Sequence, residues 1–76
     1  MVIWAASLVN FMDNSLMTTV VRSKEGMTWK EALLTAFPEW LDPIASLPED
    51  FDEAQSAACE QEWIFDCVEY ELETLQ

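Results

Sequence analysis

The chain has no histidine and a single glycine, and only three prolines, two cysteines and three basic residues among its 76. Each scarcity excludes something. Without histidine the commonest general base, pH switch and metal ligand is gone. A lone glycine, Gly26, cannot build a phosphate-cradling loop. Two cysteines without histidine do not close a zinc site, and they are too few for a disulfide framework. On one continuous helix Cys59 and Cys67 would lie ~12 Å apart by the helical rise, beyond the reach of a disulfide. Reduced thiols in a cytoplasmic protein are therefore expected. An activated cysteine needs a cationic neighbour, and the charges near both thiols in the sequence are negative. No enzyme, cofactor or metal is expected. Asp50, Asp52 and Glu53 lack the loop pattern and glycine of an EF-hand, and helix capping accounts for Asp50 and Glu53 more simply.

What the chain does hold is apolar and acidic. Hydrophobic residues make up 51%, with four Trp, four Phe and one Tyr, enough for one compact domain spanning 1–76. Disorder is excluded despite a net charge of −12, because it requires low hydrophobicity as well. The apolar start, Met1 to Met12, lacks a basic leader and is interrupted by Asn10, with Asp13 close behind. It is too short to span a bilayer and reads as core. Asp13, Glu25 and Glu31 balance Arg22, Lys24 and Lys30 within residues 1–38, whereas residues 39–76 carry twelve acids and no cation. A block of one sign repels nucleic acid and phospholipid and attracts cationic surfaces. Direct nucleic-acid binding and membrane association are thus excluded in favour of a basic protein partner.

The spacing predicts an all-α fold, a small helical bundle with one long acidic C-terminal helix. Thr28 to Glu31 is a capping box that starts a helix over 29–37. Gly26 suits the C′ position of an earlier helix over 15–25, with Arg22 and Lys24 at its negative end. The segment from Pro38 to Pro48 forms an apolar elbow, packing Trp40, Leu41, Ile44 and Leu47 onto the core. Asp50 caps a helix running from Phe51 to about Leu75, where no glycine or proline intervenes. Ala54, Ala58, Gln61, Phe65, Val68, Leu72 and Leu75 make its apolar stripe. Residues 2–12 suit a buried helix. The alternative is α+β, with an N-terminal β-hairpin turning at Asp13, Asn14 and Ser15 into the β-branched run Thr18 to Val21.

On the long helix, Glu62, Asp66, Glu69 and Glu73 would share one sector beside the apolar stripe. Glu53, Glu60 and Glu71 would lie on its other flank. Within the first row the carboxylates are spaced ~4.5–6 Å along the axis, comparable to phosphates along a DNA strand. Glu62/Asp66 and Glu69/Glu73 are also like-charge i,i+4 pairs, which weaken a helix. Between the rows lie Cys59, Trp63 and Tyr70, and the two aromatics would make interface anchors.

In size, in charge confined to residues 39–76, and in the row Glu62/Asp66/Glu69/Glu73, the chain resembles the small acidic phage-encoded inhibitors that mimic DNA, of the anti-CRISPR and anti-restriction type. That resemblance is one of overall character, since those proteins share no motif. It implies a host CRISPR effector or restriction nuclease as target, blocked at its nucleic-acid site in the bacterial cytoplasm. The contact residues would be Glu53, Glu60, Glu62, Trp63, Asp66, Glu69, Tyr70, Glu71 and Glu73. The competing expectation is a small adaptor or accessory protein that binds a partner or forms a homodimer through the Trp63/Tyr70 patch. A third is an antitoxin-like neutraliser of a basic toxin.

Overall fold

The computed structural model describes residues 2–24 and 26–71. Its first element is a strand. β1 (Val2–Asn10) turns Val2, Trp4, Ala6 and Leu8 to one side, all buried, and Ile3, Ala5, Ser7 and Val9 to the other, half-buried. Both sides are apolar, so the period of two is masked in the sequence. The chain then reverses through Phe11 to Asn14. The Asn10 side chain accepts from the Met12 amide, that of Asp13 accepts from the Ser15 amide, and Asn14 adopts a left-handed φ of 57°. Asn and Asp tolerate this geometry because their short polar side chains bond locally. β2 (Ser15–Ser23) returns antiparallel with Asn10 opposite Ser15 and Val2 opposite Ser23. The helices expected over 2–12 and 15–25 are therefore replaced by the hairpin. The β-branched run Thr18 to Val21 favours a pleated strand over a helix. Gly26, with φ of 101°, follows a strand rather than closing a helix.

The capping box at Thr28 forms as expected: its hydroxyl accepts from the Glu31 amide, and the Glu31 carboxylate accepts from the Thr28 amide. It starts α1 (Trp29–Ala36). Pro38 then begins a 3-10 turn (Pro38–Trp40), and α2 (Leu41–Ala45) follows. In this elbow Ile44 and Leu47 are buried and Trp40 packs on the core, but Leu41 points to solvent. Asp50 caps α3 (Phe51–Glu60) by accepting from the Glu53 amide.

α3 stops far short of Leu75. Gln61 and Glu62 form a turn, Glu62 with φ of 69°, and the chain continues as β3 (Trp63–Glu71). β3 pairs antiparallel with β1, giving one three-stranded sheet in the order β2-β1-β3. The all-α bundle with a long acidic C-terminal helix is thus incorrect; the fold is α+β, as the hairpin alternative required. The physical reason lies in Trp63, Phe65 and Cys67. Their alternate spacing lets all three enter the core from a strand, whereas a continued helix would turn them to different sides. The stripe read across 54–75 joined the apolar face of a short helix to residues of a strand.

All the helices pack on one side of the sheet. Leu8, Leu33, Ile44 and Phe65 are its most deeply buried large side chains. Phe65 stacks on Trp29 at 5.4 Å between ring centroids and meets Phe51 and Trp63 at 5.6 and 5.5 Å. Ala54 and Ala58, fully buried, let α3 approach closely. At the α3–β3 turn, a left-handed backbone costs a non-glycine residue about 1–2 kcal/mol, and glycine gives back about 0.5–1 kcal/mol in unfolded-state entropy. Glu62→Gly should therefore raise stability by about 0.5–1 kcal/mol, measured as a higher urea midpoint with unchanged slope.

Candidate functional site

With every described helix on one side, the other side of the sheet is left uncovered by the described residues. Register places its side chains in four rows across β2, β1 and β3: Arg22–Ile3–Tyr70, Val20–Ala5–Val68, Thr18–Ser7–Asp66 and Leu16–Val9–Ile64. Most of these positions are apolar. The outer strands carry the larger side chains, and Leu16, Val20, Ile64, Val68 and Tyr70 are all exposed. The central strand contributes Ala5 and Ser7, so the face is lowest along its middle. A shallow depression lined by Ser7, Val9, Ile64, Phe65 and Asp66 extends across β3 to Gln55 of α3. At the hairpin tip Phe11 and Met12 extend the apolar surface. Apolar side chains thus lie exposed on both sides of the polar row Thr18–Ser7–Asp66, and exposed apolar patches rimmed by polar residues mark interaction sites.

The acidic residues gather elsewhere. Glu53 and Glu60 project from α3 on the helical layer, with Asp52 beside Glu53. Glu62 sits in the turn, and Glu69 and Glu71 point to the helix side of the sheet, opposite Trp4 and Val2. Among the described residues, Asp66 is the one acid on the open face, where it shares a row with Ser7 and Thr18. Glu73 lies outside the described residues. The row Glu62/Asp66/Glu69/Glu73 is therefore not assembled as a helical ladder, because Asp66 and Glu69 differ by an odd number of residues on a strand and face opposite sides. Trp63 and Tyr70 are parted for the same reason. Trp63 is 3% exposed and packs against Trp40 and Phe65, so it belongs to the core, while Tyr70 stands on the open face. Ile3, Leu16, Val20, Ile64 and Val68 form the surface that helical periodicity concealed. The alternation Ile64, Asp66, Val68, Tyr70 was the signal that could have found it.

The two free strands at the sheet's margins are treated differently. On β3, Gln55 donates from Nε2 to the Phe65 carbonyl, and Asp66 Oδ1 accepts from the Cys67 amide. Both bonds occupy backbone groups that point away from β1. No such cap reaches the outer margin of β2 among the described residues.

Cys59 and Cys67 are both free thiols, the first exposed on α3 and the second buried on β3. Burial, aided by the adjacent Asp66 carboxylate, pushes the Cys67 thiol up to about 11 from its ordinary 9.0. The folded state thus holds this proton more tightly than the unfolded state. Its stabilising contribution is complete below pH 9 and is lost as pH rises towards 11. Wild-type protein should lose stability across that interval, and Cys67→Ala should flatten the loss in urea titrations at stepped pH. The Asp13 carboxyl is held below its ordinary value by hydrogen bonding with the Ser15 side chain and backbone, and it is ionised at neutral pH.

Among the described residues no cluster of three His, Cys, Asp or Glu could hold a metal ion. Nor is any described helix long and apolar enough to cross a membrane. Comparison with protein-family models, curated proteins and solved structures finds no match to the chain.

Proposed function

We propose that this chain is a non-enzymatic accessory protein that works by binding a protein partner through the open face of its sheet. The observation that carries the proposal is the one-sided packing: all the described helices cover one side, and among the described residues the rows from Ile3 to Ile64 on the other have no cover. The partner presents an apolar contact surface with a cationic rim. An apolar centre matches Ile64, Val68 and Val20, and the net charge of −12 steers basic surfaces towards the chain. Adhesion then comes from the buried apolar area and speed of encounter from the charge. DNA mimicry, whose basis was a regular helical row of carboxylates, is left without that row. An adaptor that binds through a partly aromatic face needs no such row.

The test uses the paired substitution Ile64→Thr and Val68→Thr. Threonine keeps the β-branched shape and strand preference and leaves every charge in place. The full chain and the variant are immobilised, challenged with a bacterial lysate and washed with increasing salt. A discrete protein should be retained by the wild type through high salt and be lost from the variant, whose circular dichroism is unchanged. Retention that is equal for the two and vanishes with salt would refute binding by the open face and restore a purely electrostatic contact.

A further inference from the structure

α1 runs into a proline, and its end is left electrically negative. The Phe37 amide closes the helix by donating to the Leu33 carbonyl at 2.9 Å. Pro38 has no N–H, so the Leu34 carbonyl, four residues before it, lacks the amide it would otherwise accept from. Carbonyls at a helix end carry partial negative charge and favour a cation beyond the last turn. The chain supplies none here: the last turn of α1 has no basic residue, and no Lys or Arg follows Lys30.

A cavity of about 140 Å³ opens at this end, lined by Met17 of β2 and by Ala36, Phe37, Pro38, Glu39 and Trp40. A cavity of about 150 Å³ accommodates benzene, so there is room for the flat head of one side chain. Two rings, a thioether and one carboxylate make up most of its wall. Trp63 supports the Trp40 ring from within the core, at 5.3 Å between centroids. Glu39 is exposed, and among the described residues the salt bridges consist of Lys30 with Glu49, which leaves Glu39 without a cation.

We infer that this cavity receives an arginine side chain of a partner protein. Three features of one small space attract a cation: the Glu39 carboxylate, the negative end of α1 and the π-system of Trp40. A guanidinium is flat, weakly hydrated and stacks on aromatic rings, whereas a lysine ammonium is compact and strongly hydrated. Walls formed by Phe37, Trp40 and Met17 therefore suit arginine better. A free amino acid or a phospholipid headgroup brings a negative group as well, and that group finds no counter-charge at the cavity. Lys30 is bonded to the Leu47 carbonyl and Glu49, while Arg22 and Lys24 lie five and seven residues along the chain from Met17. The arginine of a protein carries no such group. Met17 lies opposite Leu8 and packs towards the helices, on the far side of β2 from the open face. The site thus does not rest on the open-face proposal.

Titration of the isotope-labelled full chain with N-acetyl-arginine methylamide, followed by NMR, tests the site. Saturable shifts should centre on the Trp40 indole and on the amides of Ala36, Phe37 and Glu39, with a dissociation constant of roughly 1–10 mM. N-acetyl-citrulline methylamide has nearly the same shape without the charge and should bind at least about 10-fold more weakly. N-acetyl-lysine methylamide should also bind more weakly than the arginine compound, and free arginine no more tightly. Glu39→Gln changes an exposed residue, should keep the fold, and should weaken arginine binding about 5-fold. Glu60→Gln on α3 removes one charge from the same acidic chain and should leave the affinity unchanged. Absence of a saturable shift at Trp40 and Glu39 overturns the inference. So does citrulline binding as tightly as arginine, tighter binding of the lysine compound or of free arginine, or equal weakening by Glu39→Gln and Glu60→Gln.

Discussion

Phe65→Ala should remove about 3–5 kcal/mol of the stability of the protein. Phe65 is 2% exposed, and its ring contacts Trp29, Phe51 and Trp63, which come from α1, α3 and its own strand. Removing it deletes buried area, breaks three aromatic contacts and leaves a cavity that the sheet cannot close. Buried Phe→Ala changes cost about 3–5 kcal/mol. A chain of this length is stabilised by about 4–11 kcal/mol in all, so the loss takes from about a quarter of the margin to all of it. Urea denaturation followed by circular dichroism should show the transition displaced to low denaturant or absent. A loss below about 1 kcal/mol would mean that Phe65 does not occupy the centre of the core.

The second large effect separates neighbours in sequence. Leu8→Asp should abolish folding, whereas Val9→Asp should leave the fold intact. Leu8 is fully buried under the helices, and among the described residues no charged side chain is buried with it. An uncompensated buried charge costs about 3–5 kcal/mol or more. Val9 is half-buried on the open face, beside Leu16 and Ile64, and its replacement keeps water within reach. Loss of its half-buried contacts and of strand preference costs about 1 kcal/mol, well short of the cost at Leu8. Its consequence should appear in partner binding instead, because a new charge would be desolvated at the contact. The pair is measured by thermal unfolding of the two purified variants. Equal destabilisation would contradict the strand alternation of β1.

These two sites also mark where sequence and structure part. Caps were legible because they are local: Thr28 with Glu31 and Asp50 with Glu53 each declare a helix start within four residues, and both form. The hairpin was half-visible in Asp13, Asn14 and the β-branched run after them. It lost to a helical expectation because β1 is apolar on both sides. The helix-to-strand change at Gln61 and Glu62 was hidden, since no glycine or proline announces it and the left-handed turn is adopted by a glutamate. What decides that change is tertiary: Trp63 and Phe65 gain the aromatic pocket formed by Trp29, Trp40 and Phe51 only if the chain continues as a strand. The acidity of residues 39–76 was plain, but its arrangement depended on the period. With the period changed from helix to strand, the carboxylates scatter and an apolar face takes their place as the candidate site.

The most direct measurement is a calorimetric titration of the retained partner with the full chain, repeated at several temperatures and salt concentrations. Burial of the open face predicts a clearly negative heat-capacity change and an affinity that falls only modestly with salt. Ile64→Thr/Val68→Thr should weaken binding and reduce the heat-capacity change together. A heat-capacity change near zero, with affinity collapsing as salt rises and no effect of the two substitutions, would show that charge alone makes the contact.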